Sequence, residues 1–137
     1  MKIRQSAEDY LETILVLGQK KPMIRSIDVV NEMGFSKPSV SIAMKNLREN
    51  GYISMDREGY IRLEPPGREI AEMIYERHIF LADMLVSLGV DRETALEDAC
   101  RIEHVISPES FEAMKRHIRE QRKKAGNRGQ ENQERQP

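Results

Sequence analysis

The chain has 137 residues, enough for one domain or two small ones sharing a core. Hydrophobic residues make up 39% and charged residues 33%, and no apolar run nears the roughly 18 residues of a membrane span, so a soluble, helix-rich, cytoplasmic protein is expected with no membrane partner. The formal net charge of -1 does not advertise a polyanion ligand, and a single cysteine excludes an internal disulfide and fits a reducing compartment.

The N-terminus, MKIRQSAEDY, carries no hydrophobic signal segment. Residues 6–20 read as a first helix with Ser6 as N-cap and Leu11, Ile14 and Leu15 at core spacing. Residues 26–33 form a short second helix that Gly34 stops. In FSKPSVSIAMKNLRENGYI, Ser36 caps a third helix, Pro38 occupies its first turn, and Val40, Ala43, Met44 and Leu47 form an inward stripe. Two short β-rich runs, Tyr52–Met55 and Tyr60–Leu63, flank DREG and predict a hairpin. A long helix then runs from Pro65 to about Leu88. Asp91 caps another through about Ile106, and Ser107 with Pro108 opens a further one. From Arg119 onward the chain is almost wholly polar, and a disordered tail is expected over 119–137.

The expected fold is mainly α. Residues 1–64 form a winged helix-turn-helix, with three helices and a β-hairpin wing, and residues 65–118 form a second, helical region, which the resemblance given below implies to be the dimerisation and metal-binding domain. In a winged helix-turn-helix the third helix enters the major groove and the wing reaches phosphates. Between Phe35 and Arg48 there are three cations, Lys37, Lys45 and Arg48, and no acids; the wing adds Arg57 and Arg62. Opposite the core stripe lie Pro38, Ser39, Ile42, Lys45 and Asn46. Ile42 suits contact with a thymine methyl, and the hydroxyls of Ser36, Ser39 and Ser41 suit phosphates or base edges, although serine at a helix start is also good capping. Double-stranded DNA is thus the expected partner. The long helix has more apolar positions (Ile70, Met73, Ile74, Ile79, Phe80, Leu81, Met84, Leu85) than one small core needs, which predicts a homodimer.

A second pattern lies in ACRIEHVIS. Cys100, Glu103 and His104 stand at i, i+3 and i+4, so a helix would gather thiol, carboxylate and imidazole on one face. Asp9 and Glu12 are i, i+3 on the first helix, and His78, one of three histidines, lies midway along the long helix. A bundle of these helices could bring all six groups together. Mixed carboxylate, imidazole and thiolate donors suit Fe(II), Mn(II), Co(II), Ni(II) or Zn(II) rather than Ca(II). An enzyme reading finds neither a glycine-rich phosphate loop nor a second cysteine nor an oxyanion motif. The remaining alternative is a winged-helix regulator that senses an oxidant or organic ligand through Cys100 without metal.

EDYLETIL, SKPSVSIAMKNLRENGYI, LEPPGREIAEMIYERHIFLADML and EDACRIEHVIS together resemble the diphtheria-toxin-repressor family of metal-dependent transcriptional repressors, in its short branch typified by the manganese transport regulator. The resemblance covers about residues 5–118. It implies a homodimeric repressor of metal-homeostasis genes with Fe(II) or Mn(II) as corepressor. It assigns Asp9, Glu12, His78, Cys100, Glu103 and His104 as ligands. The chain is a hybrid: the manganese branch has a carboxylate where Cys100 stands, and the iron branch has that cysteine but a methionine in place of Asp9. Ala82 and Leu96 fall where the iron branch has ligands of an ancillary site, and no counterpart of its SH3-like domain is expected. Ile42 stands where the iron branch reads a base with Gln, so the operator sequence does not transfer. Metal joining the first helix to the dimerisation helices would set two recognition helices about 34 Å apart.

Overall fold

Helix α1 (Gln5–Lys20) turns Tyr10, Leu11, Ile14 and Leu17 inward, the i, i+3/i+4 stripe of an amphipathic helix. The computed structural model describes residues 5–134, with side chains placed to residue 128. Ser6 lies inside the first turn of α1 rather than capping it.

The short α2 (Ser26–Met33) begins after Arg25, whose backbone N–H donates to Asp28 Oδ2 at 2.9 Å. It ends where Gly34 adopts φ 71°, a left-handed conformation that glycine takes without a Cβ penalty. Ser36 then caps α3 (Lys37–Glu49): the Ser39 N–H donates to Ser36 Oγ at 3.3 Å, and Pro38 sits in the first turn where its missing N–H costs nothing. Val40, Met44 and Leu47 of α3 are buried against the α1 stripe and Val29 of α2.

Strands β1 (Ile53–Met55) and β2 (Ile61–Leu63) pair antiparallel, with Ile53 opposite Leu63 and Met55 opposite Ile61. Their turn is held by Asp56, whose Oδ1 accepts from the N–H groups of Glu58 and Tyr60 at 3.0 and 2.9 Å. Ile61 also forms a bridge to Ile24, donating its N–H to the Ile24 carbonyl at 2.7 Å. The wing is thereby tied to the segment between α1 and α2, a pairing too short to leave a sequence signal.

Helix α4 (Pro65–Ser87) starts tight against the wing. Glu64 donates its N–H to the Tyr52 carbonyl at 3.0 Å, and a Cβ at position 67 would collide with that carbonyl, so Gly67 is required by close backbone approach. Ala71 belongs to the same core as α1, α2 and α3. Farther along, Ile74, Leu81 and Ala82 are buried, as are Ala95 and Ala99 of α5 (Arg92–Ile102), which packs on α4. Asp91 caps α5 by accepting from the Thr94 N–H at 3.1 Å. Of the apolar residues expected to form a dimer surface, Ile74 and Leu81 are instead buried within the chain, while Met73 and Ile79 are exposed.

The chain divides into two units, residues 1–104 and 105–137. The second holds α6 (Pro108–Glu134), started by Ser107, whose Oγ accepts from the Ser110 N–H at 3.1 Å. Over part of the tail expected from Arg119, residues 119–134 continue α6, and 135–137 lie outside the described residues. Arginine, lysine, glutamine and glutamate dominate this stretch and are all strong helix formers. Among the described residues, no helix is long and apolar enough to cross a membrane.

Candidate functional site

Three elements of the first unit converge at the end of α5. Asp9 and Glu12 project from α1, His78 from α4, and Cys100 and Glu103 from α5 and its C-cap. Helix α5 ends at Ile102, short of the Ile106 expected. Glu103 nevertheless keeps a helical conformation and donates its N–H to the Ala99 carbonyl at 3.0 Å, so it still shares a face with Cys100. His104 lies in the following turn and swings toward α1.

The fully buried Glu103 carboxylate is the centre of the cluster. Its Oε2 is 2.9 Å from His78 Nδ1, and its Oε1 is 3.3 Å from His104 Nε2. Asp9 Oδ1 is 2.7 Å from the same Nε2. Donor atoms of His78, Cys100 and Glu103 lie within 4.8 Å of one another, and so do those of Asp9, Glu103 and His104. Two triads thus share Glu103. Glu12 adjoins them, close enough for its carboxyl to sense the charges of Glu103, His78 and Asp9. Cys100 is exposed rather than a core residue, so packing does not account for it.

The electrostatics are those of a site short of positive charge. Burial first, then the neighbouring Glu103, pushes the Glu12 carboxyl up to about 8, and burial likewise raises Asp9. Hydrogen bonding to Cys100 and Glu103 raises His78 to about 10. Glu12 Oε2 and Glu103 Oε1 are buried without a hydrogen bond among the described residues, while His104 Nε2 has the Asp9 carboxylate as its near neighbour. Buried polar atoms are rarely left so. Orphaned donors converging from separate elements, with carboxylate, imidazole and thiol chemistry, fit a divalent transition metal.

Two contributors went unread in the sequence. Glu8 Oε1 lies 3.2 Å from His104 Nδ1, and Arg77, itself buried, donates from Nη1 to the Glu103 carbonyl at 3.1 Å. Glu8 adjoins Asp9, so the paired acids were the available signal; Arg77 adjoins His78 but only tertiary packing reveals its partner. A groove of about 200 Å³ beside His78, lined by Ile79, Ala82, Asp83, Val86, Arg92 and Leu96, is smaller than the roughly 300 Å³ at which small-molecule pockets begin.

Along α3, Lys37, Pro38, Ser39, Ser41, Ile42 and Lys45 are all exposed, with Ile42 at 63%. Ser36 and Ser39 are exposed and bonded to each other, Ser36 Oγ donating to Ser39 Oγ at 2.8 Å, so part of their hydrogen-bonding capacity serves the cap. Lys45 is within 4.0 Å of Glu49, a loose exposed pair that leaves its charge available. Arg57 at the wing tip and Arg62 on β2 are exposed.

Residues 2–66 match the family described as iron dependent repressor, N-terminal DNA binding domain, and residues 64–126 match iron dependent repressor, metal binding and dimerisation domain. The chain is 34% identical over 110 residues to the transcriptional regulator MntR of Salmonella typhimurium strain LT2, covering 80% of this chain and 70% of that one. Among solved structures, it resembles the metal-dependent transcriptional regulator MtsR, with TM-score 0.74 and 25% identity over 82% of this chain and 53% of that one. It also resembles ScaR with bound Zn2+, with TM-score 0.68 and 26% identity over 82% and 53%. The chain spans about half the length of these two structures.

Proposed function

This chain belongs to the iron-dependent repressor family of metal-dependent transcriptional repressors, and from that premise we propose that divalent metal held by Asp9, Glu12, His78, Cys100, Glu103 and His104 switches on operator binding by a homodimer in the cytoplasm. The carrying observation is the convergence of two ligand triads on one buried carboxylate: the donor atoms of His78, Cys100 and Glu103 lie within 4.8 Å of one another, and so do those of Asp9, Glu103 and His104. When bound, the ion supplies the positive charge that these donors lack.

The rest is linkage through the chain's own residues. One face of α1 presents Asp9 and Glu12, and its other face carries Leu11, Ile14 and Leu17 into the core beneath α3. His78 and Cys100 belong to α4 and α5, within the matched dimerisation domain. Shared ligation would hold α1 to α4 and α5, and so would fix α3 relative to the dimer axis. A ligand shifts such an equilibrium only by its differential affinity for the DNA-competent state. On α3, Ile42 meets a thymine methyl, Ser36, Ser39 and Ser41 reach phosphates or base edges, and Lys37 and Lys45 contact phosphates with Arg57 and Arg62 of the wing. The family is one of transcriptional regulators, and no reaction is assigned to the cluster.

Fe(II) or Mn(II) is the physiological ion, with the thiol of Cys100 favouring Fe(II); Co(II), Ni(II) or Zn(II) can substitute. The regulated genes are those of metal homeostasis. The test is fluorescence anisotropy on duplexes selected from a random pool with Mn(II) present, repeated with Fe(II) anaerobically and with chelator, alongside equilibrium dialysis to count ions. Affinity should collapse on chelation. Affinity that survives it overturns metal control and favours direct sensing of an oxidant or organic ligand at Cys100.

A further inference from the structure

The charge of this chain is unevenly placed. Residues 1–64 carry ten cations and nine acids, and residues 65–104 carry four cations and nine acids. Residues 113–128, all within α6, carry seven cations and one acid. The densest positive charge therefore lies outside the winged helix, on a helix that neither the metal cluster nor the recognition surface uses.

Its geometry is that of a cationic face. At about 100° per residue, Arg116, Arg119, Arg122 and Lys123 fall within an arc of about 120°. They span about 10 Å of helix axis, a rise that holds roughly three phosphates of one DNA strand. All four are exposed, and among the described residues none of them is in an ion pair or hydrogen bond. Lys115, by contrast, is half-buried beside Glu112, 3.1 Å away. Like charges at i, i+3 and i+4 repel along a helix, so this face gains from a polyanion.

We propose that the Arg116–Arg119–Arg122–Lys123 face of α6 is a second, sequence-independent DNA contact that binds backbone phosphates outside the bases read by α3. The proposal rests on the DNA-binding reading above. Duplex DNA is the occupant because charge complementarity is strong and the winged helix alone is nearly neutral. Phosphate neutralisation provides most of the non-specific affinity of such proteins, and cations in α6 supply what α3 and the wing lack.

The experiment compares the full chain with a variant carrying Arg116→Gln, Arg119→Gln, Arg122→Gln and Lys123→Gln. Glutamine keeps helix propensity, and circular dichroism checks the helix. Both are titrated onto a random-sequence duplex with saturating Mn(II) across a salt series. The variant should bind roughly tenfold more weakly, and its log K against log salt should flatten by about 2 to 4 units, at ~0.9 per lost phosphate contact. A variant with Lys at the three arginine positions should keep the wild-type slope. An unchanged slope in the Gln variant overturns the proposal; if its dimer also loosens in sedimentation, the face belongs to a second copy instead. Wild-type binding that ignores Mn(II) overturns metal control and leaves the slope comparison intact, whereas no wild-type binding overturns both.

Discussion

Glu8 Oε1 lies 3.2 Å from His104 Nδ1, while the other ring nitrogen of His104 faces Asp9 at 2.7 Å. Two adjacent acids of α1 therefore hold opposite edges of one imidazole. Histidines that ligate metal usually donate their second N–H to a carboxylate, which fixes the tautomer and the ring plane. Glu8 is thus a positioning residue, and Asp9 shares the cluster. Glu8→Ala should weaken Mn(II) binding by about 10- to 100-fold while leaving the number of ions bound unchanged. Glu8→Gln, which can still accept, should recover part of the loss. Competition against a fluorescent chelator gives both values; wild-type affinity in Glu8→Ala would remove Glu8 from the site.

The metal-free protein should lose stability as pH rises. Glu12 is held at about 8 against an ordinary 4.5, so the folded state prefers its proton; that contribution is complete below about 4.5 and disappears as pH climbs through 8. His78, at about 10 against 6.5, contributes fully below 6.5 and loses its contribution as pH rises through 10. Both act in the same direction. Melting in chelator should show Tm falling between pH 6 and 9, with a shallower fall in Glu12→Gln. Added Mn(II) should flatten the trend, because ligation replaces the protons. A metal-free Tm that rises with pH would contradict this electrostatic account.

Local chemistry carried the sequence reading far. Ser36 with Pro38 marks the start of α3, and Asp91 marks that of α5, because caps and first-turn prolines act within one turn of backbone. The DREG turn predicts the wing because Asp56 and Gly59 hold it by themselves. Asp9, Glu12, His78, Cys100, Glu103 and His104 were legible as ligand types at helical spacing, while their convergence depends on α4 packing against both α1 and α5. What was hidden is tertiary: the reach of Glu8 to His104, the bond from Arg77 to the Glu103 carbonyl, and the bridge from Ile24 to Ile61. The extent of α6 leaves little trace in the sequence for a different reason: a solvated polar helix has no apolar period to announce it.

Ile42 and Lys45 should separate sequence reading from phosphate binding. Both are exposed on α3, one turn apart, but only Ile42 can discriminate a thymine methyl. Ile42→Ala should lower affinity for the selected operator by about 1 to 3 kcal/mol and relax preference at one base position. Lys45→Ala should weaken all duplexes alike and flatten the salt slope by about 0.9. Selection from a random pool with each variant checks this; an unaltered consensus with Ile42→Ala would remove Ile42 from base contact.

Cys100 should set metal preference. Its thiol is exposed and shares a triad with His78 and Glu103, whereas the triad of Asp9, Glu103 and His104 offers only oxygen and nitrogen. Thiolates favour later, softer ions, and carboxylates favour Mn(II), so the two triads pull selectivity apart. Cys100→Glu should raise the response to Mn(II) relative to Fe(II), and Asp9→Met should lower it. Co(II) gives a check independent of DNA: a cobalt–thiolate charge-transfer band should appear in the wild type and vanish in Cys100→Glu. The activation constants come from anaerobic Mn(II) and Fe(II) titrations of operator binding. If Cys100→Glu leaves their ratio unchanged and the cobalt spectrum shows no sulfur ligand in the wild type, Cys100 is a bystander and the remaining five residues carry the site.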